Sequence, residues 1–435
     1  MAGEAPERVR TPLLALGVEV RPGEAAAAAL GFAYFFALLA GYYILRPLRE
    51  EMGIRGGVEN LPWNFTATLL AMVAAVPLYS ALVARVPRAR AVPLVYRFFL
   101  SNLLAFHLLV RFGVAPREVA RAFFVWVSVY NLFVVSVFWS FLTDLLTSDQ
   151  AKRLFGFVAA GGSAGALVGP AAAGLLAGAL GAANLLLVSA VLLELSTRAA
   201  LGLVRWSRES GASAERAREE RPGEAGEALG GGAFRGIGLV IRDRYLLGIA
   251  AQTLLFTLGS TFLYSHTARL VAAAVPESAR RTALFAAVDF AVNLAALATQ
   301  SLATGAFLTR LGLGAALGLV PALSAVGFVA AAALPGLVFL AAFQALRRAL
   351  SYAVERPARE VLFTVVTREE KYKSKGFIDT VVYRLGDSGA AWLAQGVTSL
   401  GIGLGGSMLL GAPFGLVGLA LALWLAREER RRESR

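Results

Sequence analysis

The sequence predicts an all-α membrane protein of about twelve transmembrane helices, arranged as two bundles of six. Of its 435 residues, 57% are hydrophobic and only 16% are charged, whereas soluble domains carry about 25% charged residues. The apolar residues occur in runs of about 20, the length of helix that crosses the hydrocarbon core of a bilayer. One long polar stretch, residues 205–232, interrupts these runs near the middle of the chain.

Twelve apolar segments are predicted to cross the membrane, six before and six after the polar stretch. Their bounds are residues 25–46, 61–84, 92–111, 120–146, 154–180, 182–204, 245–271, 281–310, 314–334, 336–364, 375–404 and 407–426. They define an N-terminal six-helix bundle, residues 25–204, and a C-terminal one, residues 245–426. We expect the remaining segments to be cytoplasmic: the N-terminal residues 1–24, a linker 205–244 and a basic tail 427–435.

The distribution of basic residues predicts the orientation. They are concentrated in the N-terminal segment, the linker and alternate short loops, and the positive-inside rule places these in the cytoplasm. No cleavable signal peptide is expected, since the first residues mix acids with arginines. Arg outnumbers Lys 38 to 4, a composition typical of GC-rich bacteria. We therefore predict a multi-pass protein, most simply a monomer, of a bacterial cytoplasmic (inner) membrane.

The two halves resemble each other at an offset of 220 residues. The matching positions are Arg49 with Arg269, Thr147 with Thr367, Asp149 with Glu369, and Gly156-Phe157 with Gly376-Phe377. Such a repeat predicts a pseudo-twofold 6+6 bundle with a substrate site between the halves near the bilayer midplane.

Glycines at four-residue spacing mark the fifth span. Gly161, Gly165 and Gly169 share a helix face, followed by Gly174 and Gly178. This pattern favours close packing of another helix. A phosphate-binding glycine loop is disfavoured, because the Lys-Ser/Thr pair and the preceding strand of that motif are absent.

Several functions are excluded or disfavoured by composition. The chain contains no cysteine, and its two histidines, His107 and His266, lie on different predicted spans, so neither a metal nor a cofactor is expected. No set of nucleophile, base and orienting group is visible, so we predict that the protein is not an enzyme. The net charge of +13 does not indicate nucleic-acid binding, because the basic residues lie between the apolar runs.

Polar residues inside the predicted spans are the candidates for substrate binding, since ionisable groups in a membrane usually face a cavity or a partner. The candidates are Tyr42, Arg46, Arg49, Asn131, Arg269, Asp289, Asn293, Gln344, Arg347, Arg348, Tyr352, Arg384 and Asp387. Several structural alternatives stay open. Arg46 and Arg49 could end the first helix at the outer surface, and Asp289 with Asn293 could form a hydrogen-bonded pair between helices. A second group, Glu355, Arg356, Arg359 and Glu360, is predicted to form gating ion pairs.

Four segments resemble a known family. They are YYILRPLREEMG in the first span, VVSVFWSFLTDLLTSDQAKRLFGF across the fourth and fifth, and SYAVERPAREVLF with KGFIDTVVYRLGDSGA across the tenth and eleventh. These segments are similar to the ATP/ADP translocases of plastids and obligate intracellular bacteria, which transport nucleotides. The resemblance implies a twelve-helix, major-facilitator-like fold and the exchange of nucleotides or other phosphate compounds.

The sequence departs from that family at its functional charges. Of two basic and two acidic membrane residues understood to serve nucleotide transport, this chain keeps a basic one, Arg49. No acid lies between Trp126 and Asn131 or at residues 259–261, and Asp387 stands where the family has a lysine before Ser-Gly. The resemblance therefore implies the fold and transport, but not ATP/ADP exchange.

The predicted function is secondary-active transport of an anionic solute, with phosphorylated or nucleotide-like compounds as candidates. The basis is the excess of membrane arginines over acids. One alternative is proton-coupled transport of a neutral or cationic solute, with Asp289 or Asp387 carrying the proton. Another is a sensor or assembly protein of the same fold without turnover. The expected partners are a small-molecule solute and the lipid bilayer.

Overall fold

A computed structural model describes residues 21, 23–86, 88–210, 235–302 and 304–434, and these form helices with no β-strand among them. Most of the predicted N-terminal segment, residues 1–20 and 22, and the centre of the predicted linker, residues 211–234, lie outside the described residues.

The described residues of the first half form five α-helices and one short 3-10 helix, Val58–Asn60. The α-helices are α1 (Ala25–Arg55), α2 (Leu61–Arg85), α3 (Arg88–Arg111), α4 (Pro116–Leu145) and α5 (Ser148–Glu209). Element α5 contains two predicted spans, because Gly181 interrupts it with φ 72° and ψ 167°. Arg153 before this glycine bonds to Glu24 (2.6 Å), and Trp206 after it bonds to the Gly23 carbonyl (2.8 Å). Both arms of α5 thus reach the start of α1, so the chain reverses direction at Gly181.

Nine α-helices form in the part of the second half that the structure describes. They are α6 (Arg235–Arg242), α7 (Arg244–Ala274), α8 (Ser278–Leu302), α9 (Thr304–Ala333), α10 (Leu337–Leu350), α11 (Arg356–Val361), α12 (Arg368–Phe377), α13 (Tyr383–Ser399) and α14 (Leu404–Glu433). A π-helical turn, Ser351–Glu355, joins α10 to α11, and another, Ile378–Val382, joins α12 to α13. Gly312, with φ 79° and ψ 170°, breaks α9 where the eighth and ninth predicted spans meet.

Ten helices within the described residues are long and apolar enough to span a membrane. One of them is the reversing α5, which supplies two spans, and the charged pair α12–α13 forms the eleventh predicted segment. Large apolar side chains such as Leu175, Leu302 and Val338 are more than 80% exposed, as expected of a surface that faces lipid. The chain is a multi-pass membrane protein.

Helices extend into the predicted linker and into the predicted tail. The predicted linker 205–244 includes the last turn of α5, the short helix α6 and the start of α7, so its ends are helical. The predicted tail, from residue 427 onwards, continues α14 as far as Glu433. Hydropathy locates the apolar core of a helix, but a helix continues beyond the bilayer wherever its polar turns have partners. Here Arg432 bonds to Asp243 with both guanidinium nitrogens, at 2.7 and 2.9 Å.

The internal repeat recurs in local structure. Thr147 caps α5 and Thr367 caps α12, and each forms a reciprocal capping box with the residue three positions later. One turn inside each helix, Asp149 pairs with Arg153 and Glu369 pairs with Lys373. Outside the spans, burial is the largest single influence on Glu24 and raises its pKa, but the hydrogen bonds from Arg153 and the Arg21 backbone, together with the charge of Arg153, outweigh burial and lower that pKa.

The glycine face of α5 packs directly on α1. A Cβ atom on Gly161, Gly165 or Gly169 would lie 2.5, 2.4 or 2.6 Å from the carbonyl oxygens of Phe32, Phe36 and Ala40, respectively. Real Cβ atoms do not approach backbone oxygen so closely, so only glycine permits this contact. Further along the same arm, a Cβ atom on Gly178 would meet nothing within 4 Å.

We expect Gly165→Ala to destabilise the protein by about 1–3 kcal/mol, because the methyl group must push α1 away from α5. Gly178→Ala is the matched control, since it makes the same chemical change in open space and favours the helix. The measurement is the free energy of unfolding of both variants in detergent or nanodiscs. Equal stability of the two variants would show that the close contact is not needed.

Buried side chains form separate cores in the two halves. One cluster contains residues from Ala27 to Leu203 with the addition of Ala286, and two others contain residues from Val240 to Leu425 and from Phe262 to Ala412. A fourth cluster includes Leu61 and Phe65 of the first half together with Val271 and Phe285 of the second. The halves are therefore packed units that meet at a seam.

Candidate functional site

A cavity of about 960 Å³ lies between the two halves. Its wall is formed by α1, α2 and α4 of the first half and by α7, α8 and the α10–α13 region of the second. Eight basic side chains line it: Arg46, Arg49, Arg347, Arg348, Arg356, Arg359, Lys375 and Arg384. Five acidic ones also line it: Glu50, Asp289, Glu360, Asp379 and Asp387.

One end of the cavity is closed by contacts between the halves, and we call it the closed end. Glu51 of α1 pairs with Arg281 of α8 at 2.8 Å, and the Glu51 side chain is fully buried. Thr66 of α2 and Ser388 of α13 lie 2.8 Å apart at their hydroxyl oxygens. Beside them the rings of Trp63 and Trp392 meet edge to face.

The opposite end of the cavity is accessible, and we call it the open end. Glu360 and Lys375 pair there at 2.7 Å with exposed fractions of 50% and 34%. Asp379, which pairs with Arg359 at 3.3 Å, is also partly exposed. All four side chains line the cavity. The structure is thus a state in which the cavity communicates with one side of the bundle only.

Four basic residues of the lining have their own carboxylate. Besides the two pairs of the open end, Arg49 pairs with Glu50 at 2.9 Å and Arg384 pairs with Asp387 at 3.0 Å. Asp387 also accepts a hydrogen bond from Thr261 (2.6 Å). The predicted gating residues Arg359 and Glu360 thus pair with Asp379 and Lys375 of the neighbouring segment and not with each other.

Asp289 lies between two arginines from different halves. Arg348 of α10 donates to one carboxylate oxygen at 2.6 Å, and the Nε of Arg46 of α1 lies 3.6 Å from the other. Arg46 also reaches the Tyr352 hydroxyl at 3.4 Å. Asn293, one turn further along α8, bonds to another helix: its amide donates to the Ala166 carbonyl of α5 (2.8 Å).

Arg347 is a buried cation without a carboxylate partner among the residues that the structure describes. Its side chain is 3% exposed, yet it lines the cavity. Its Nε donates to Ser324 at 2.7 Å and its Nη1 donates to Ser260 at 3.1 Å. An unpaired charge in such a place is costly, so this guanidinium is a candidate to receive an anion.

Arg356 is a further basic residue of the cavity lining whose positive charge is not balanced by a salt bridge within the described residues. Its guanidinium lies 4.5 Å from the centroid of the Tyr352 ring, and no salt bridge joins it to a carboxylate of the described residues. It begins α11, directly after the π-helical turn that carries Tyr352. Such turns are frequent at functional sites, because the extra residue redirects side chains on a helix face.

Eleven of the thirteen predicted substrate-binding residues line the cavity. The two exceptions are Asn293 and Arg269, whose guanidinium donates to the Ala394 carbonyl, Gln395 and Thr398. Of the predicted gating residues, Arg356, Arg359 and Glu360 line the cavity, while Glu355 is buried behind it with one carboxylate oxygen unpartnered.

The sequence did not indicate the Glu51–Arg281 pair or the lining charges Glu50, Lys375 and Asp379. All of them lie near the ends of predicted spans. A charged side chain can reach water there, so its presence does not indicate a cavity. One signal was present: Asp379, Tyr383 and Asp387 follow at four-residue intervals and share a helix face.

Solved structures of membrane transporters share this fold. The POT family transporter PepTSo matches with a TM-score of 0.64 at 14% identity, over 93% of this chain and 98% of that one. A bacterial homolog of the human lysosomal transporter Spinster, inward-facing and unoccupied, matches with a TM-score of 0.61 at 12% identity, over 95% and 99%. A POT family transporter in complex with a thioalcohol-conjugated peptide matches with a TM-score of 0.61 at 10% identity, over 93% and 96%.

The sequence itself matches no protein-family model and no curated protein. At these identities the structural likeness shows the fold alone. The predicted all-α architecture of about twelve helices in a major-facilitator-like bundle is confirmed. The resemblance to ATP/ADP translocases stays a prediction.

Proposed function

We propose that the protein is a secondary-active transporter that moves an anionic solute across the membrane by alternating access. The observation that carries this proposal is the uncompensated positive charge of the cavity, above all the buried Arg347. A cavity between two packed halves, closed at one end, is the arrangement that alternating access requires. With the predicted orientation, the open end would face the cytoplasm.

The charge inventory favours a multivalent anion. Four ion pairs of the lining are neutral, whereas the Arg46–Asp289–Arg348 group, Arg347 and Arg356 each have one positive charge in excess. Glu355, buried behind the lining, offsets part of this excess if it is ionised. A phosphate monoester or a nucleotide satisfies two or three such charges at once. The volume, about 960 Å³, accommodates a ligand of that size.

The second candidate is proton-coupled transport of a neutral or cationic solute. Asp289 and Asp387 are 2% and 5% exposed, and carboxylates buried within a membrane are candidates to carry protons. This candidate predicts that the solute binds without neutralising Arg347.

A thermal-shift experiment distinguishes the two candidates. The purified protein is heated with inorganic phosphate, AMP, ATP, succinate or a dipeptide, at matched ionic strength. Binding to the folded state stabilises it by about 2.7 kcal/mol at a ligand concentration 100 times the Kd, so we expect phosphorylated anions to raise the melting temperature. Stabilisation by the dipeptide, with none by any anion, would contradict the anionic proposal.

A further inference from the structure

Among the described residues, Asp289 is the one carboxylate of the cavity lining that forms salt bridges with arginines of both halves. It is 2% exposed on α8 of the second half, and its two oxygens face Arg348 of the same half and Arg46 of the other. The other carboxylates of the lining pair within their own half: Asp387 with Arg384 three positions earlier, and Glu50 with the adjacent Arg49. When the halves move, each of these carboxylates moves together with its partner, whereas Asp289 connects one half to the other.

The position of Asp289 matters when the cavity is occluded. Alternating access passes through a state in which the cavity is closed at both ends and bulk water is excluded. In the occluded state Arg46 and Arg348 lose their contact with solvent. In the present structure each of these side chains is 18% exposed. Two uncompensated guanidiniums in a closed cavity repel each other and are poorly solvated. A carboxylate between them removes most of that penalty.

We propose that Asp289 is an internal counter-ion of the transport site. In the empty protein its carboxylate lies between Arg46 and Arg348, at the place where an anionic group of the solute binds in the loaded protein. This inference rests on the proposed function. When the solute arrives, its anionic group displaces the carboxylate from one arginine or both. When the solute leaves, Asp289 returns, and the empty protein remains able to occlude and reorient. The transporter then supports net movement of the solute and is not confined to exchange.

The test measures how often the empty protein opens at the closed end. Ser388→Cys provides a reporter in a chain without cysteine, since Ser388 is 8% exposed and lies against Thr66 across the seam. A water-soluble thiol reagent is added to the protein in nanodiscs, without ligand. We expect Asp289→Asn to slow labelling at least about tenfold, because its occluded state holds two unneutralised arginines. Asp289→Glu keeps the charge and should label at nearly the original rate.

The control is Glu277→Gln, which makes the same chemical change just before α8, where Glu277 pairs with Arg280 at the surface. It should not alter the labelling rate. Inorganic phosphate at high concentration should restore labelling of Asp289→Asn, because the anion supplies the missing negative charge. Unchanged or faster labelling of Asp289→Asn overturns the inference. The inference is also overturned if the protein that keeps Asp289 is not labelled in the absence of ligand.

The two proposals fail in different ways. If no anion stabilises the protein in the thermal-shift experiment, the proposed function fails whatever the labelling shows. If anions bind but Asp289→Asn labels as fast as the protein with Asp289, the transport of anions stands and the counter-ion role is wrong. If Asp289 is a proton carrier, Asp289→Asn mimics the protonated, reorienting form and speeds labelling.

Discussion

Arg347→Gln is expected to weaken the binding of phosphorylated anions by at least roughly 100-fold, through the loss of charge-assisted hydrogen bonds and of the buried charge itself. The empty protein should keep its stability or gain some. Arg347 has only serine hydroxyls as hydrogen-bond partners among the described side chains, so its removal breaks no salt bridge of the described residues. The measurement is the ligand dependence of the melting temperature, with ATP and inorganic phosphate as probes.

Arg269→Gln is the matched control for this prediction. Arg269 also lacks a carboxylate partner within the described residues, but its guanidinium bonds to Ala394, Gln395 and Thr398 and is not part of the cavity lining. We expect little change in anion affinity. If both variants lose binding equally, the arginine excess acts through the general field of the protein, and Arg347 is not a direct ligand.

The second large effect is expected at the closed end. Arg281→Gln leaves the fully buried Glu51 carboxylate without its cationic partner. Breaking a buried ion pair on one side costs about 3–5 kcal/mol. Because the pair joins the two halves at the closed end, its loss destabilises the state in which that end is closed. The population should therefore shift strongly towards the state that is open at this end.

Cysteine labelling measures this shift as well. Ser388→Cys should react much faster in the Arg281→Gln background than with Arg281 present. The double variant Glu51→Gln, Arg281→Gln replaces the ion pair by two neutral amides, so it should return labelling towards the original rate. If Arg281→Gln labels no faster, the Glu51–Arg281 pair does not hold the two halves together.

The local pattern of the sequence determined the class of the protein and the placement of its helices. A bilayer requires about 20 apolar residues per span, so hydropathy alone separated the arms of α5 at Gly181 and the eighth and ninth spans at Gly312. Polarity within the predicted spans also indicated many of the residues that line the cavity, because an ionisable group in a membrane usually faces a cavity or a partner and not lipid.

Only the tertiary structure decided which charges meet. The structure pairs Asp387 with Arg384, three positions away on the same helix, whereas Arg348 pairs with Asp289 of another helix. It also turned Arg269 out of the cavity, although Arg269 matches Arg49 in the internal repeat. The partner of a membrane charge depends on how far each helix is rotated about its axis and on which half it faces. Those quantities follow from packing between distant segments, which no local periodicity encodes.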